Sequence, residues 1–293
     1  MDDGGGIMGT REENRMMDML ISLKADLASS IAFRYACRLA DLAEIHLQTI
    51  YVEEVEKEGY PPGSGWVRST WETGLLDTAQ REIAQLINTE KTHCPVLDEP
   101  IVRIGEREEE LLREVKREAY DVFLEGVLSS SDERLFYQKM RSKLYRQLAC
   151  PIILVKNLVN PARVALVLAE HKDVKPLINT FANLFEKSKL SVDLVYVKAK
   201  RNVPAENQKI PAGTAGPEWE DARHTLDDAR ERLAFHGWTP QESWIMQERP
   251  QAIGEMLAPY GLVGSRLPRA VHKSNMVMDL LSRVSSATLL AKN

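Results

Sequence analysis

Tyr120-Asp121-Val122-Phe123-Leu124-Glu125-Gly126, followed by a loop, a helix and Cys150-Pro151-Ile152-Ile153-Leu154-Val155-Lys156, is the stretch that decides the fold. The first run is short, mostly apolar and closes on glycine, the pattern of a buried parallel strand that feeds a loop. The last is apolar on both faces. Between them Phe136, Met140, Leu144 and Leu148 recur every four residues and predict one helix ending at Cys150-Pro151. Upstream, Pro100 to Ile104 predicts a strand stopped by Gly105. Glu106 to Ala119 predicts a helix with Leu111, Leu112 and Val115 on one face and glutamates crowding its first turns, where the helix dipole favours them. Strands and helices alternating at this length imply a parallel sheet covered on both sides. Any ligand site then lies at the carboxyl ends of the strands, which directs attention to the loop after Gly126.

Asp121 to Gly126, then Arg146-Gln147-Leu148-Ala149-Cys150-Pro151 and the strand Ile152 to Val155, resembles the C-terminal half of a universal stress protein domain. Arg34-Tyr35-Ala36 with Leu39-Ala40, in an amphipathic helix over Ala28 to Leu42, is similar to that family's first helix. It follows a strand from Met16 and precedes a second strand, Ile45 to Val52.

The same order of elements returns after about 140 residues, the self-similarity expected of a repeat. Arg163 to Leu168 begins the second copy, and Val174 to Lys187 is its first helix. Val192 to Val197, Trp244 to Met246, Gly261 to Gly264 and Ala287 to Ala291 are its further strands, with helices at Glu218 to His236, Ala252 to Leu257 and Asn275 to Arg283. The expectation is an α/β protein of two tandem, doubly wound, Rossmann-like domains of the adenine nucleotide alpha hydrolase type. Residues 1–15 form a flexible tail, 16–157 the first domain and 161–293 the second. Two Gly/Pro-rich stretches, Glu53 to Gly74 and Lys198 to Pro217, read as long loops. Family members commonly dimerise through the last strand, so the resemblance implies that Ile152–Val155 and Thr288–Leu290 pair inside one chain as a pseudo-dimer. Homodimerisation of the whole chain is a further expectation. Covering aliphatic edges supplies the physical motive.

The 293 residues suit two domains, and the formal net charge of −5 argues against a general nucleic-acid binder, which needs a basic face to release counterions. Three cysteines, Cys37, Cys94 and Cys150, are too few and scattered for a disulfide framework and point to a reducing compartment. The acidic start Met1-Asp2-Asp3 does not read as a secretory signal, and no run is long enough to span a bilayer, so a cytoplasmic protein without membrane partners is expected.

Many members of the family bind ATP through an aspartate ending the first strand and a loop of glycine, two spacers, glycine, nine spacers, glycine and Ser/Thr. Glycines there let the backbone offer its N–H groups to phosphates without an obstructing β-carbon. Here Lys24 stands at the aspartate position. Gly126 keeps the first glycine, Ser129 replaces the second, and Gln138, Lys139 and Met140 fall near the third. In the second copy Ala169 or Glu170 replaces the aspartate, Gly264 remains, followed by Ser265 and Arg266, and Leu267 stands for the second glycine. The resemblance therefore implies that ATP binding has been lost in both copies, leaving a non-enzymatic stress-response protein that acts as an interaction and signalling platform without a cofactor.

The alternative is a small-molecule sensor holding ATP, AMP or another phosphorylated ligand in one copy. Its candidate residues are Gly126, Ser129, Gly264, Ser265, Arg266 and Arg269, with His272 and Lys273 nearby. Lys139, Arg141, Lys143 and Arg146 form a second basic cluster; solvated basic faces are the simpler reading of such runs. No catalytic residue and no metal-ligand spacing can be named. The histidines read as surface or packed residues, Gly63-Ser64-Gly65 lacks a nucleophile-elbow frame, and Walker and dinucleotide glycine patterns are missing.

Overall fold

The computed structural model describes residues 16–54, 66–90, 97–127, 133–169, 173–198, 208–268 and 275–292. The first half comprises β1 (Met17–Leu23), α1 (Leu27–Ala40), β2 (Ile45–Glu53), α2 (Trp66–Glu90), β3 (Ile101–Ile104), α3 (Arg107–Arg117), β4 (Val122–Gly126), α4 (Glu133–Arg141), α5 (Lys143–Gln147) and β5 (Ile152–Val155). The second comprises β6 (Arg163–Ala169), α6 (Lys175–Phe185), β7 (Ser191–Val197), β8 (Gln208–Pro211), α7 (Glu220–Phe235), β9 (Ser243–Gln247), α8 (Pro250–Met256), β10 (Leu262–Arg266), α9 (Met276–Arg283) and β11 (Ala287–Ala291).

All eleven strands form one sheet, in the order β3-β2-β1-β4-β5-β11-β10-β6-β7-β9-β8. Within each half the strands run parallel around a central first strand, except for β8 at the far edge of the second, and this crossover order buries strands on both faces and explains the unbroken apolar runs. The halves meet where β5 and β11 pair antiparallel, Ile153 opposite Leu289. One core lies on each face of the sheet and runs through both halves. Phe33, Tyr35 and Leu39 of α1 share the first with Phe181 and Phe185 of α6; Phe136, Met140 and Tyr145 share the second with Met278 and Leu281 of α9.

Local chemistry starts these helices. Asp26 caps α1 by accepting from Ser29 N at 2.8 Å, and Asn275 caps α9 by accepting from Val277 N at 3.1 Å. The Glu106 side chain accepts from Glu108 N and Glu109 N, while Lys116 and Arg117 occupy the last turn of α3, so charge follows the dipole at both ends.

Three expectations change. The helix expected from Phe136 to Leu148 is two helices, because Ser142 takes an extended backbone (φ −62°, ψ 159°) at the N-terminal boundary of α5. The second helix begins at Trp66, so Trp66 to Gly74 is helical rather than loop; residues 55–65 lie outside the described residues. Within the stretch 198–217, Gln208–Pro211 pairs antiparallel with β9 as β8, closing that edge with a short strand ending in proline. The cysteine reading also needs correction. Cys37 is disulfide-bonded, Cys150 is a free buried thiol, and Cys94 lies outside the described residues. Sequence distance does not show which residues a crossover fold brings together.

Hydrogen bonds fix the correspondence between the halves. Asp121 N donates to Asp18 O as Gly261 N does to Arg163 O, and Asp98 N donates to Leu47 O as Gln241 N does to Val192 O. Counting from these anchors, Tyr35 matches Thr180, Arg38 matches Asn183, Ala28 matches Asp173, Arg107 matches Pro250, Glu125 matches Ser265 and Gly126 matches Arg266. The ends of β5 and β11 are tied reciprocally. Lys156 Nζ donates to Leu281 O at 2.6 Å and Val284 O at 2.8 Å, at the end of α9. Lys292 Nζ donates to Tyr145 O at 3.0 Å and to Leu148 O, at the end of α5. A cation on the last carbonyls of a helix satisfies orphan acceptors and complements the dipole. Burial pulls the Lys156 ammonium down to about 8.

Candidate functional site

The carboxyl ends of β1 and β4 flank the crevice where an open α/β sheet holds its ligands. In the first half this crevice contains a buried ionic network. Glu125, on the last turn of β4 before its glycine, has its side chain 8% exposed and faces Arg107, from the first turn of α3, at 3.2 Å. The Arg107 guanidinium also donates to Leu23 O at 3.2 Å and to Ser22 Oγ, both at the end of β1. The other Glu125 oxygen accepts from the Tyr145 hydroxyl and pairs with Lys139 Nζ at 3.0 Å.

Burial works against the Glu125 carboxylate, but Lys139 and Arg107, with the Tyr145 hydrogen bond, outweigh it and hold its pKa below the usual range. The Tyr145 hydroxyl is pushed well up by burial and by the carboxylate beside it. Both charges are thus paired and hydrogen-bonded, the condition under which buried ions are tolerated. Lys139, one of the cations that sequence makes available to a phosphate, is engaged by Glu125, and Lys143 pairs with Glu109 at 3.2 Å.

Gly126 ends β4 against the start of α1: a β-carbon there would run into the Ala28 carbonyl. The glycine is required by helix packing, whatever the loop beyond it does. In the second half Arg266 occupies the same level of β10, and its NH1 donates to Asp173 O, the counterpart of the Ala28 carbonyl, at 3.4 Å. Gly264 lies two residues earlier, at the level of Leu124, where a β-carbon would come within 2.7 Å of Leu166 Cδ2. Ser265, which replaces Glu125, is buried with its hydroxyl 3.4 Å from Val167 O. Pro250 replaces Arg107, so among the described residues this crevice lacks the ionic network of the first. It carries instead a buried carboxylate, Glu248, with one oxygen accepting from Arg249 N at 2.8 Å and the other without a partner.

No protein-family model matches the sequence, and no curated protein matches it. Solved structures do. A universal stress protein from Archaeoglobus fulgidus aligns at a TM-score of 0.60 and 13% identity over 94% of this chain and 98% of its own. A putative universal stress protein from Pseudomonas aeruginosa UCBPP-PA14 aligns at 0.52 and 13% over 94% and 93%. A functionally unknown protein from P. aeruginosa PAO1 aligns at 0.54 and 14% over 94% and 92%.

The chain has the two-domain universal stress protein fold.

Against that fold, the sequence alignment of the second copy shifts. Arg266, not Gly264, is the structural counterpart of Gly126, because the strand pairing places β10 two residues along from where glycine matching puts it. Of the six candidate residues, Gly126, Gly264, Ser265 and Arg266 stand at the carboxyl ends of β4 and β10 and serve strand and helix packing in the ways just given. Ser129 and Arg269 lie outside the described residues, as do His272 and Lys273. Sequence reading of the universal-stress-like motif passes over Arg107, Glu125 and Tyr145, although a glutamate inside an otherwise apolar strand is a readable sign of a buried charge that must find a partner.

His46, read from sequence as a surface or packed residue, is partly buried between two carboxylates. At the amino edge of the first half its Nδ1 lies 2.9 Å from Asp18 and its Nε2 3.0 Å from Asp98. Partial burial works against its charge, but the two carboxylates outweigh this and raise its pKa above 6.5. Among the described residues no cluster of three or more metal-ligating side chains occurs, and no helix is long and apolar enough to cross a membrane.

Proposed function

We propose that this protein is a non-catalytic, cytoplasmic stress-response protein of the universal stress family, acting as an interaction platform rather than as an ATP-binding enzyme. The observation that carries the reading is the Arg107–Glu125–Lys139 network with Ser22 and Tyr145, which fills the first-half crevice with paired charge. A triphosphate entering it would have to displace a buried carboxylate from two cations, leaving unpaired charge behind. In the second half the glycine level of β10 carries an arginine that braces α6. A cytoplasmic setting requires the fold to survive reduction of the Cys37 disulfide, so the cooperative unfolding transition should persist in dithiothreitol.

The direct test is to incubate the full chain with Mg-ATP and measure phosphate release, and to identify any small molecule released from freshly purified protein by mass spectrometry. Absence of both turnover and eluted nucleotide is expected; turnover above the uncatalysed rate overturns the reading. A sensor for a phosphorylated ligand is the second reading, favoured by one observation, the missing ionic network in the second-half crevice. It requires AMP or ATP binding that the combined change Arg266→Ala and Arg269→Ala abolishes; unchanged affinity rules it out.

A further inference from the structure

The two junctions between the halves correspond but are built differently. At one, Tyr35 of α1 is fully buried and its hydroxyl donates to Gly261 O at 3.0 Å, while Arg38 donates to Leu158 O at 2.9 Å. These side chains cross the junction and close it. At the other, the matching residues of α6 are Thr180 and Asn183, which are too short to cross. There a cavity of about 750 Å³ opens between α6 and the amino ends of β1, β4 and β5, with Thr180, Asn183 and Asp121, the counterpart of Gly261, in its lining.

We propose that this junction cavity is a binding site for an uncharged, polyhydroxylated small molecule of the saccharide or cyclitol class. Its size falls within the range of small-molecule sites. Its charge excludes a phosphorylated ligand. Lys175, Lys187 and Lys292 line it together with Glu44, Asp121 and Glu186. Lys187 faces Glu44 at 4.0 Å, and Lys292 already donates to the carbonyls of Tyr145 and Leu148. A polyanion would find the cations largely committed and three carboxylates in its way.

What remains on offer is neutral. Asn179, Thr180 and Asn183 of α6 present amides and a hydroxyl that both donate and accept. Met17 and Pro151 across from them, with Leu184 of α6, supply apolar surface suited to the C–H face of a saturated ring. The site uses none of the residues in the carboxyl-end crevices, so it is independent of the nucleotide question.

Saturation-transfer NMR on the full chain with maltose, trehalose and myo-inositol as probes tests the proposal. At least one probe should show transfer that saturates with concentration. Thr180→Tyr, which restores the bulk found at the closed junction, should abolish it, and Asn183→Ala, which adds no bulk, should weaken it by about tenfold, the loss of one good hydrogen bond. Circular dichroism melting establishes that both variants fold. Saturable transfer lost in Thr180→Tyr and weakened in Asn183→Ala supports the site. No transfer to any of the three probes, or transfer undiminished in both folded variants, overturns it.

Discussion

The two halves share one strand order yet solve the same two problems with different residues. Where β4 meets the start of α1, the first half removes a side chain: Gly126 lets the Ala28 carbonyl approach. Where β10 meets the start of α6, the second half adds one, and Arg266 reaches the Asp173 carbonyl. In the crevice beside these contacts the first half packs Glu125 against Arg107 and Lys139, and the second has Ser265 and Pro250 instead. The difference teaches that a glycine retained at a motif position can be held there by packing after the motif around it has gone. Under the proposed function, a ligand site is lost in two forms, replacement by internal charge or simple erosion.

The sharpest break in that comparison is at Glu125. Glu125→Ala leaves Arg107 and Lys139 without their shared carboxylate and should cost about 3–5 kcal/mol in urea unfolding, the range for breaking a buried pair. Ser265→Ala, at the matching position, should stay within about 1 kcal/mol. Equal losses at the two positions would mean the network is not what distinguishes the halves. Next in size, Gly126→Ala should destabilise by about 1–3 kcal/mol through overpacking against backbone. Arg266→Ala should cost no more than about 1.5 kcal/mol, since it forfeits one long hydrogen bond. Tyr35→Phe, at the closed junction, should lose about 1 kcal/mol from the buried bond to Gly261 O.

The smallest effect is in pH. His46 has its folded pKa raised by Asp18 and Asp98, so its contribution is complete below about 6.5 and disappears as pH rises through the folded value. With both carboxylates partly exposed, solvent screening keeps it under about 1 kcal/mol. His46→Gln should flatten the stability profile over that interval, and an unchanged slope would remove the histidine from the account. Ser191 holds the matching place in the second half, where no such dependence arises.

Much of this architecture is legible in the chain. Apolar runs such as Ile152 to Val155, and the helix faces of Ile31, Tyr35, Leu39 and Leu42 and of Leu177, Ile178, Phe181 and Leu184, come from burial, and burial leaves a periodic trace. The largely parallel sheet, covered on both sides, follows from the alternation of strands and helices. Ser142 escapes detection because one residue turning to an extended backbone does not disturb a four-residue apolar period across it. Trp66 to Gly74 was hidden by polar composition, which exposed helices share with loops. The site is less legible still. Arg107 and Glu125 lie eighteen residues apart in sequence and meet only because α3 returns over β4. The register of Arg266 against Gly126 depends on strand pairing, which glycine matching alone mistakes by two residues. The cavity at the second junction is a difference between Tyr35 and Thr180, readable only once the anchors Asp18 and Arg163 are superposed.

The central claim is that these crevices no longer hold the nucleotide their fold is shaped for, and calorimetric titration of nucleotide-free protein with ATP and with AMP tests it most directly. No saturable heat from either nucleotide is the predicted result. A saturable isotherm fitting about one site per chain would contradict it, and would require the Arg107–Glu125–Lys139 network to open or the second crevice to bind without its glycines.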